Sequence, residues 1–568
     1  MATLTSVLAL LLAGQSFAKA PYCVPGNDCF PSADELAKFN TSIGGKLSEP
    51  APYGQVCYAG HFDAAACSKL VTNKRNPTFR EIIPAAMMYT NTEFTSDGKG
   101  CPVPDEVPAK GLDGSCELGA LGSYFVTANN ADDISQAVKF AAKHNLRLRV
   151  KNTGHDYTGR STDAGAFVIH THAMQRIELH KGFVPKGCRA SSATDVLQLG
   201  AGVIAQDLYP EAAKLGVVTT GGYCPTVGIA GGFALGGGAA GPFQPVIGMG
   251  ADNVVQYDVV MVDGTIAVAN ECQNKDLFWA MRGGGGVFAI SSTTYIKAHP
   301  AFQAVNVVVG QVSASSSEAY KRMISEFVQN DPKYGPQFSS GIWETSYPNI
   351  TMSFHKGFQA SETVVSGDQS LKAFDFLKSI DGVTANVQGF QFKTWAEAFE
   401  KVVGPLMEEG SAVGVNLLDL SRVVPNTLTS SKEGRQSIAD FVSGLPKTQP
   451  FLFHRGGGAI NKPANDETSV NPAWRTSAAY VNVPVFATSN AGMTAEQKNT
   501  MESMIEQVDK VFSSDAYYNE ENRLESNYQQ RFWGANYDTL LSLKKKFDPN
   551  CVLTGALTVG ETEVCGSS

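Results

Sequence analysis

Residues 151–161 read KNTGHDYTGRS and follow LRLRV at 146–150. Alternation over Leu146–Val150 predicts a strand, and its exit loop then carries a histidine, an acid and two glycines. Working upstream, Ser123–Thr127 reads as another strand. Asn130, with Asp133 three residues on, is an acceptable helix start. Ile134, Ala137, Val138 and Ala141 then recur at i, i+3, i+4 and i+7, one apolar helical face. The unit is β-α-β with a chemically busy loop at its end.

Downstream, TTGGYCPTVGIAGGFALGGGAAG occupies 219–241, with seven glycines between Gly228 and Gly241. GGGAAG at 236–241 matches G-x-G-x-x-G, but a nicotinamide-type site needs a helix opening on it. Pro242 and Phe243 follow instead, so that reading fails. The physical content of the glycines survives: a backbone without Cβ atoms approaches a pyrophosphate closely and presents N–H groups to it. Beyond about residue 300 the spacing predicts helices over 318–330, 369–380, 432–445 and 494–512. Strands are predicted at 305–309, 350–354 and 478–486. Thr494 and Gln497 form a capping box, and a last helix over 537–547 ends in three lysines before Asp548-Pro549.

The chain has 568 residues, 43% hydrophobic and 17% charged, which excludes wholesale disorder. With 45 basic against 54 acidic residues there is no basic surplus to collect phosphates, so nucleic acid is not an expected partner. Leu4–Ala18 is uncharged and too short to span a bilayer, and small residues follow, so residues 1–20 read as a signal peptide. No second apolar run of 18 residues follows, so no membrane partner is expected after its removal. Sequons at Asn40 and Asn349 are expected N-glycan sites on a secretory route. All eleven cysteines lie outside the signal and none has zinc-finger spacing, which points to disulfides and to no metal site. Eleven is odd, so one thiol is left over. The expected divisions are a signal at 1–20, a disulfide-rich extension at 21–117, a cofactor domain at 118–300, a substrate domain at 301–515 and a C-terminal segment at 516–568.

Five stretches, NTGHDYTGRS, GYCPTVGIAGG…GGGAAG, ADNVVQYDVVMVDG, DLFWAMRGGGG and FWGANYDTLLSLKKKFDPNCVL, stand in one order across residues 118–568. In that order they resemble the vanillyl-alcohol-oxidase superfamily of flavoproteins and its berberine-bridge-enzyme-like branch. The wording is most similar to fungal isoamyl-alcohol-oxidase-like members. The resemblance implies an α+β fold: a two-subdomain FAD-binding unit, a substrate domain with an antiparallel sheet, and a C-terminal segment returning to the FAD domain. It implies FAD held by two bonds, from His155 to the 8α-methyl and from Cys224 to ring carbon 6, which gives the odd thiol a role. Gly154, Asp156, Gly228, Gly231 and Gly232 would line the cofactor, with Asn536 and Tyr537 returning to the flavin side. Plant members place a tyrosine after the asparagine matching Asn519; here that position is Glu520, so the proton acceptor changes chemical type. Tyr480 and His454 are the other candidate bases. Phe233 stands where plant members carry histidine, and the stretch before Gly236 is one residue longer.

The implied activity is that of a secreted oxidase, passing hydride from a small alcohol-type substrate to FAD and then to O2. The alternatives are an oxidative ring-forming or desaturating step of secondary metabolism, a carbohydrate oxidase, or a secreted flavin-holding protein without turnover. Proximity in sequence pairs Cys57 with Cys67, Cys101 with Cys116 and Cys551 with Cys565, and Cys23–Cys29 and Cys188–Cys272 are the further pairs expected.

Overall fold

The structure, a computed structural model, describes residues 21–239, 241–410, 413–487 and 492–566. The expected signal peptide lies outside them. The β-α-β unit is β1 (Tyr124–Thr127), α1 (Ala131–Lys143) and β2 (Leu148–Lys151). Asn130 Oδ1 accepts from Asp133 N at 3.0 Å and starts the helix, whose Ile134, Ala137, Val138 and Ala141 are all buried. β1 and β2 both pair parallel to β3 (Phe167–His170), so the exit loop of β2 leaves at the sheet's C-terminal edge. A second sheet, antiparallel throughout, comprises β4 (Ile177–Phe183), β5 (Thr194–Gly200), β6 (Val254–Val260), β7 (Ile266–Asn270) and β8 (Ile290–Lys297), in the order β4-β5-β8-β6-β7. Val126, Ile134, Phe167, Tyr257, Val259 and Phe288 join the two sheets in one core, which also takes Trp533 and Leu540 from the C-terminal segment.

The third sheet has seven strands: β9 (Val305–Ala314), β10 (Ser340–Ser346), β11 (Asn349–Gly357), β12 (Val383–Phe392), β13 (Ser421–Pro425), β14 (Phe451–Arg455) and β15 (Ser477–Asn482). Their order is β12-β9-β11-β10-β14-β15-β13, every pair antiparallel. Helices α2 (Ser317–Gln329), α3 (Lys432–Gly444) and α4 (Ala495–Asp509) cover one face. There Phe327, Val442 and Met501 share a core with Trp343, Phe453 and Val481. Because successive strand side chains alternate, the residues between those, Ile342, Glu344, Leu452, His454, Tyr480 and Asn482, turn to the opposite face.

Two elements differ from expectation. The single helix expected over 369–380 is a short helix, Gly367–Leu371, followed by three-residue turns over Lys372–Ser379. Phe374 and Leu377, three apart, are its buried pair, a spacing that suits the tighter winding. The strand expected over 478–486 is divided into Ser477–Asn482 and Val485–Phe486, with Pro484, which has no N–H for a ladder, between them. Ten cysteines pair as the five disulfides expected. Asn40 and Asn349 are half-buried, and Asn349 Oδ1 accepts from Ser313 Oγ at 2.7 Å. Among the described residues no helix is long and apolar enough to cross a membrane.

Candidate active site

A cavity of about 650 Å³ is walled by the loop after β2, the glycine-rich segment 222–236, the free face of the third sheet and residues 517–520. Gly154 turns the β2 loop at φ +85°, and a Cβ there would press on Lys151 and Met87. His155 follows. Its Nε2 lies 2.7 Å from Thr226 Oγ1 and 3.8 Å from Cys224 Sγ. Burial pushes the imidazole down to about 4, so it stands neutral at physiological pH. Asp156 lines the cavity but spends its carboxylate on the loop itself, accepting from Thr158 N at 3.3 Å, from Arg160 N, and from Arg160 Nη1 at 3.3 Å. Arg160 lies 3.8 Å from the ring centroid of Tyr518 and donates to Tyr518 O at 2.9 Å, which ties the loop to the C-terminal segment.

The glycines divide by what they face. A Cβ on Gly228 would strike the Asn152 side chain. On Gly232 it would meet nothing within 4 Å, on Gly231 only Ala201 O at 3.9 Å, and on Gly286 only Leu235 Cδ1 at 3.7 Å. The space before these three lining residues is therefore open to a ligand at backbone distance. Phe233 N donates to Gly228 O at 3.3 Å, closing a wide turn that holds one residue more than an α turn. Phe233 itself lines the cavity.

On the opposite wall sits Glu520. Burial first, then the neighbouring Asp419 carboxylate, pushes its carboxyl up to about 8, with Asn482 and Tyr480 partly offsetting them by hydrogen bonding. Asp419 is itself pushed up to about 7 by burial, although Leu420 N and Asn482 Nδ2 donate to it at 3.0 and 2.9 Å. His454 lines the cavity, is held neutral by burial at about 3, and stacks on Tyr480 at 4.3 Å. Tyr480 is fully buried behind it, outside the lining.

Asn536 and Tyr537 depart from their expected place. Neither lines the cavity. Asn536 Nδ2 donates to Val470 O at 2.8 Å, and Tyr537 donates to Glu563 Oε1 at 2.8 Å while stacking on Trp533. The reason is the backbone turn at Gly534, φ +53°, which sends the last helix, α5 (Tyr537–Phe547), into the core. Residues 517–520, fifteen or more positions earlier, reach the cavity instead. Sequence reading missed Asp419, Asn482, Glu344 and the stacked pair Tyr89–Tyr157, with ring centroids 4.1 Å apart. Asp419 carried a usable signal, a lone acid in the apolar run VGVNLLDLSRVV at 413–424. The others had none.

Comparison with known proteins bears on what fills the cavity. The FAD binding domain family matches residues 122–270, and the berberine and berberine-like family matches 516–556. FAD-linked oxidoreductase easE of Arthroderma otae is 31% identical over 551 residues, covering 94% of this chain and 89% of that protein. VAO-type flavoprotein oxidase VAO615 of Thermothelomyces thermophilus is 31% identical over 557 residues, covering 95% and 93%. The chain belongs to this family of FAD-linked oxidoreductases. The crystal structure of the VAO-type flavoprotein MtVAO615 from Myceliophthora thermophila C1 superposes with a TM-score of 0.81 at 28% identity, covering 95% of this chain and 97% of that one. More distant is the glucooligosaccharide oxidase of Acremonium strictum, which shares the fold at a TM-score of 0.62, 20% identity and 77% coverage of this chain.

The residues present in this flavoprotein fit FAD. The open backbone at Gly231, Gly232 and Gly286 leaves room for a flat group at contact distance, and a neutral imidazole stands beside a thiol on the same wall.

Proposed function

We propose that the chain is a secreted oxidase that holds FAD by two covalent bonds, from His155 and Cys224, and oxidises a small alcohol-type substrate with dioxygen as the final acceptor. One observation carries this reading: His155 Nε2 and Cys224 Sγ meet 3.8 Å apart on one wall of a cavity whose other wall presents Glu520. The fold neighbour from Acremonium strictum is described as having a 6-S-cysteinyl, 8α-N1-histidyl FAD, which uses the same two residue types. Thr226 engages His155 at Nε2, which leaves Nδ1 as the nitrogen for attachment. Five disulfides and two sequons favour the secretory route.

FAD, when bound, supplies the two-electron acceptor for a substrate carbon–hydrogen bond. The chain's own residues supply the rest. Glu520 takes the substrate's hydroxyl proton in its ionised form. Asn482 donates to Asp419 and also holds the neighbouring Glu520 carboxyl, so the two acids keep a fixed relation. Arg160, by clamping Tyr518 to the β2 loop, keeps Glu520 facing His155 across the cavity.

Acid precipitation of the purified protein tests the attachment. The wild-type precipitate stays yellow; His155→Ala and Cys224→Ala each stay yellow through the remaining bond; the double variant loses colour. A colourless wild-type precipitate refutes the covalent reading. A peroxide assay across alcohols, sugars and phenols tests the oxidase reading, which fails if no donor yields peroxide.

A further inference from the structure

The third sheet turns a row of side chains into the cavity that the proton-transfer chemistry leaves unused. Strand register sets Thr351, Glu344, Leu452 and Asn482 side by side on β11, β10, β14 and β15. All four line the cavity. Among the described residues, no donor or cation reaches the Glu344 carboxyl. Its register partners are Thr351 on one side and Leu452 on the other, and the lining also includes the apolar Ile342, Leu406, Met407, Pro484 and Phe486. The two arginines that line the cavity, Arg149 and Arg160, are already engaged with Asp163 and Asp156 on the far wall. His454, which lines the cavity on this sheet face, is neutral. Half-buried, the Glu344 carboxyl faces the cavity with no counter-charge beside it, and burial raises it above its ordinary range.

Asn482 and His454, on side chains 4% and 8% exposed, line the same cavity and hydrogen-bond to each other. Adjacent strands lie about 4.8 Å apart, so Glu344 stands two strands, roughly 10 Å, from Asn482. Asn482 in turn holds Asp419 and Glu520. The sheet therefore offers a carboxyl anchor at one end, an apolar middle and the proton acceptor at the other.

We propose that Glu344 binds a cationic nitrogen of the substrate, a protonated amine carried on an apolar body and seated two strands, roughly 10 Å, from Asn482, beside which Glu520 acts. This rests on the reading of the cavity as the oxidation site. The amine donates to the carboxylate and supplies the counter-charge the lining lacks. A neutral polyol would leave the Glu344 carboxylate without a counter-charge.

Calorimetric titration of the purified, flavin-containing protein at pH 8 tests the assignment, using 4-phenylbutylamine and the equally long, neutral 4-phenylbutan-1-ol. The amine, still protonated at that pH, binds at least tenfold more tightly to the wild type. Glu344→Gln brings the two within about twofold of each other and leaves the alcohol's affinity unchanged, whereas Glu344→Asp keeps part of the preference. Melting temperatures of both variants accompany the titrations, and the aspartate variant decides the matter if the glutamine one does not fold. Equal affinities in the wild type, no measurable amine binding, or a preference that survives Glu344→Gln overturns the proposal. A yellow, peroxide-forming protein without the preference refutes this inference alone. A flavin-containing protein that forms no peroxide from any donor but keeps a Glu344-dependent preference refutes the oxidase reading and leaves the amine site standing.

Discussion

Glu520 and Asp419 share one desolvated corner, and the Asp419 carboxylate makes ionisation of Glu520 harder. On the proposed reading Glu520 must be ionised to take a proton, so the reductive rate rises with pH as this carboxyl, pushed up to about 8, loses its proton. Replacing Asp419 by Asn removes a like charge and keeps a polar side chain of the same shape. The acid limb of the rate profile then moves to lower pH, and at pH 6.5 the variant gains on the wild type. A limb that stays in place would show that the two acids are not coupled. Glu520→Gln lowers the rate of flavin reduction by about 10²–10⁴-fold with flavin content and melting temperature nearly unchanged. A loss under about tenfold in stopped-flow traces would pass the proton-accepting role to His454.

At the scale of elements, the segment carrying Glu520 is held from below by β13. Arg422, fully buried on that strand, forms ion pairs with Asp509 of α4 at 2.6 Å, Glu521 at 3.2 Å and Glu525 at 2.9 Å, and Arg531 joins Asp509 and Glu525 from the far side. Removing the central cation strands buried carboxylates, a loss of roughly 3–5 kcal/mol. Arg422→Met therefore lowers the unfolding midpoint in urea markedly, while Arg531→Met, at the more exposed edge, lowers it less. Equal effects would show that the network has no centre. None of this network was legible in the sequence, because its centre, Arg422 on a strand, lies 87 residues before the nearest of its partners, Asp509. The β-α-β unit was legible, since Asn130 and the Ile134–Ala141 stripe act within one helix. His155 and Cys224 were legible as loop residues, but only the fold brings them to 3.8 Å. Asn536 was misplaced because a motif's position along the chain does not report the turn at Gly534.

Over the whole molecule, buried titratable groups of opposite kinds set how stability depends on pH. Burial pushes His170, His355 and His454 down to about 3 and His299 to about 4, against about 6.5 in an unfolded chain. These histidines stay neutral in the fold, so the stability they contribute is complete above pH 6.5 and is lost as pH falls toward those values. Glu81, Asp419 and Glu520 are pushed up, to about 8, 7 and 8. They keep protons that the unfolded chain releases near pH 4, so their contribution is complete at low pH and is lost as pH rises through 7 and 8. Lys151, pushed down to about 7 by burial, opposes them with a single proton above neutrality. Between about pH 4.5 and 6.5 these histidines, with His155, and the raised carboxyls thus pull stability in opposite directions. Below that window the histidines act alone, and above it the carboxyls outnumber the lysine. Melting temperature therefore peaks close to pH 6.5, falls steeply below about 4.5 and declines more gently toward pH 8. Glu81 Oε2 is buried without a partner, so Glu81→Gln raises the melting temperature at pH 8 and flattens the alkaline side. A melting temperature that climbs steadily to pH 8, or a Glu81→Gln variant that melts lower there, would mean that these carboxyls ionise freely in the folded chain.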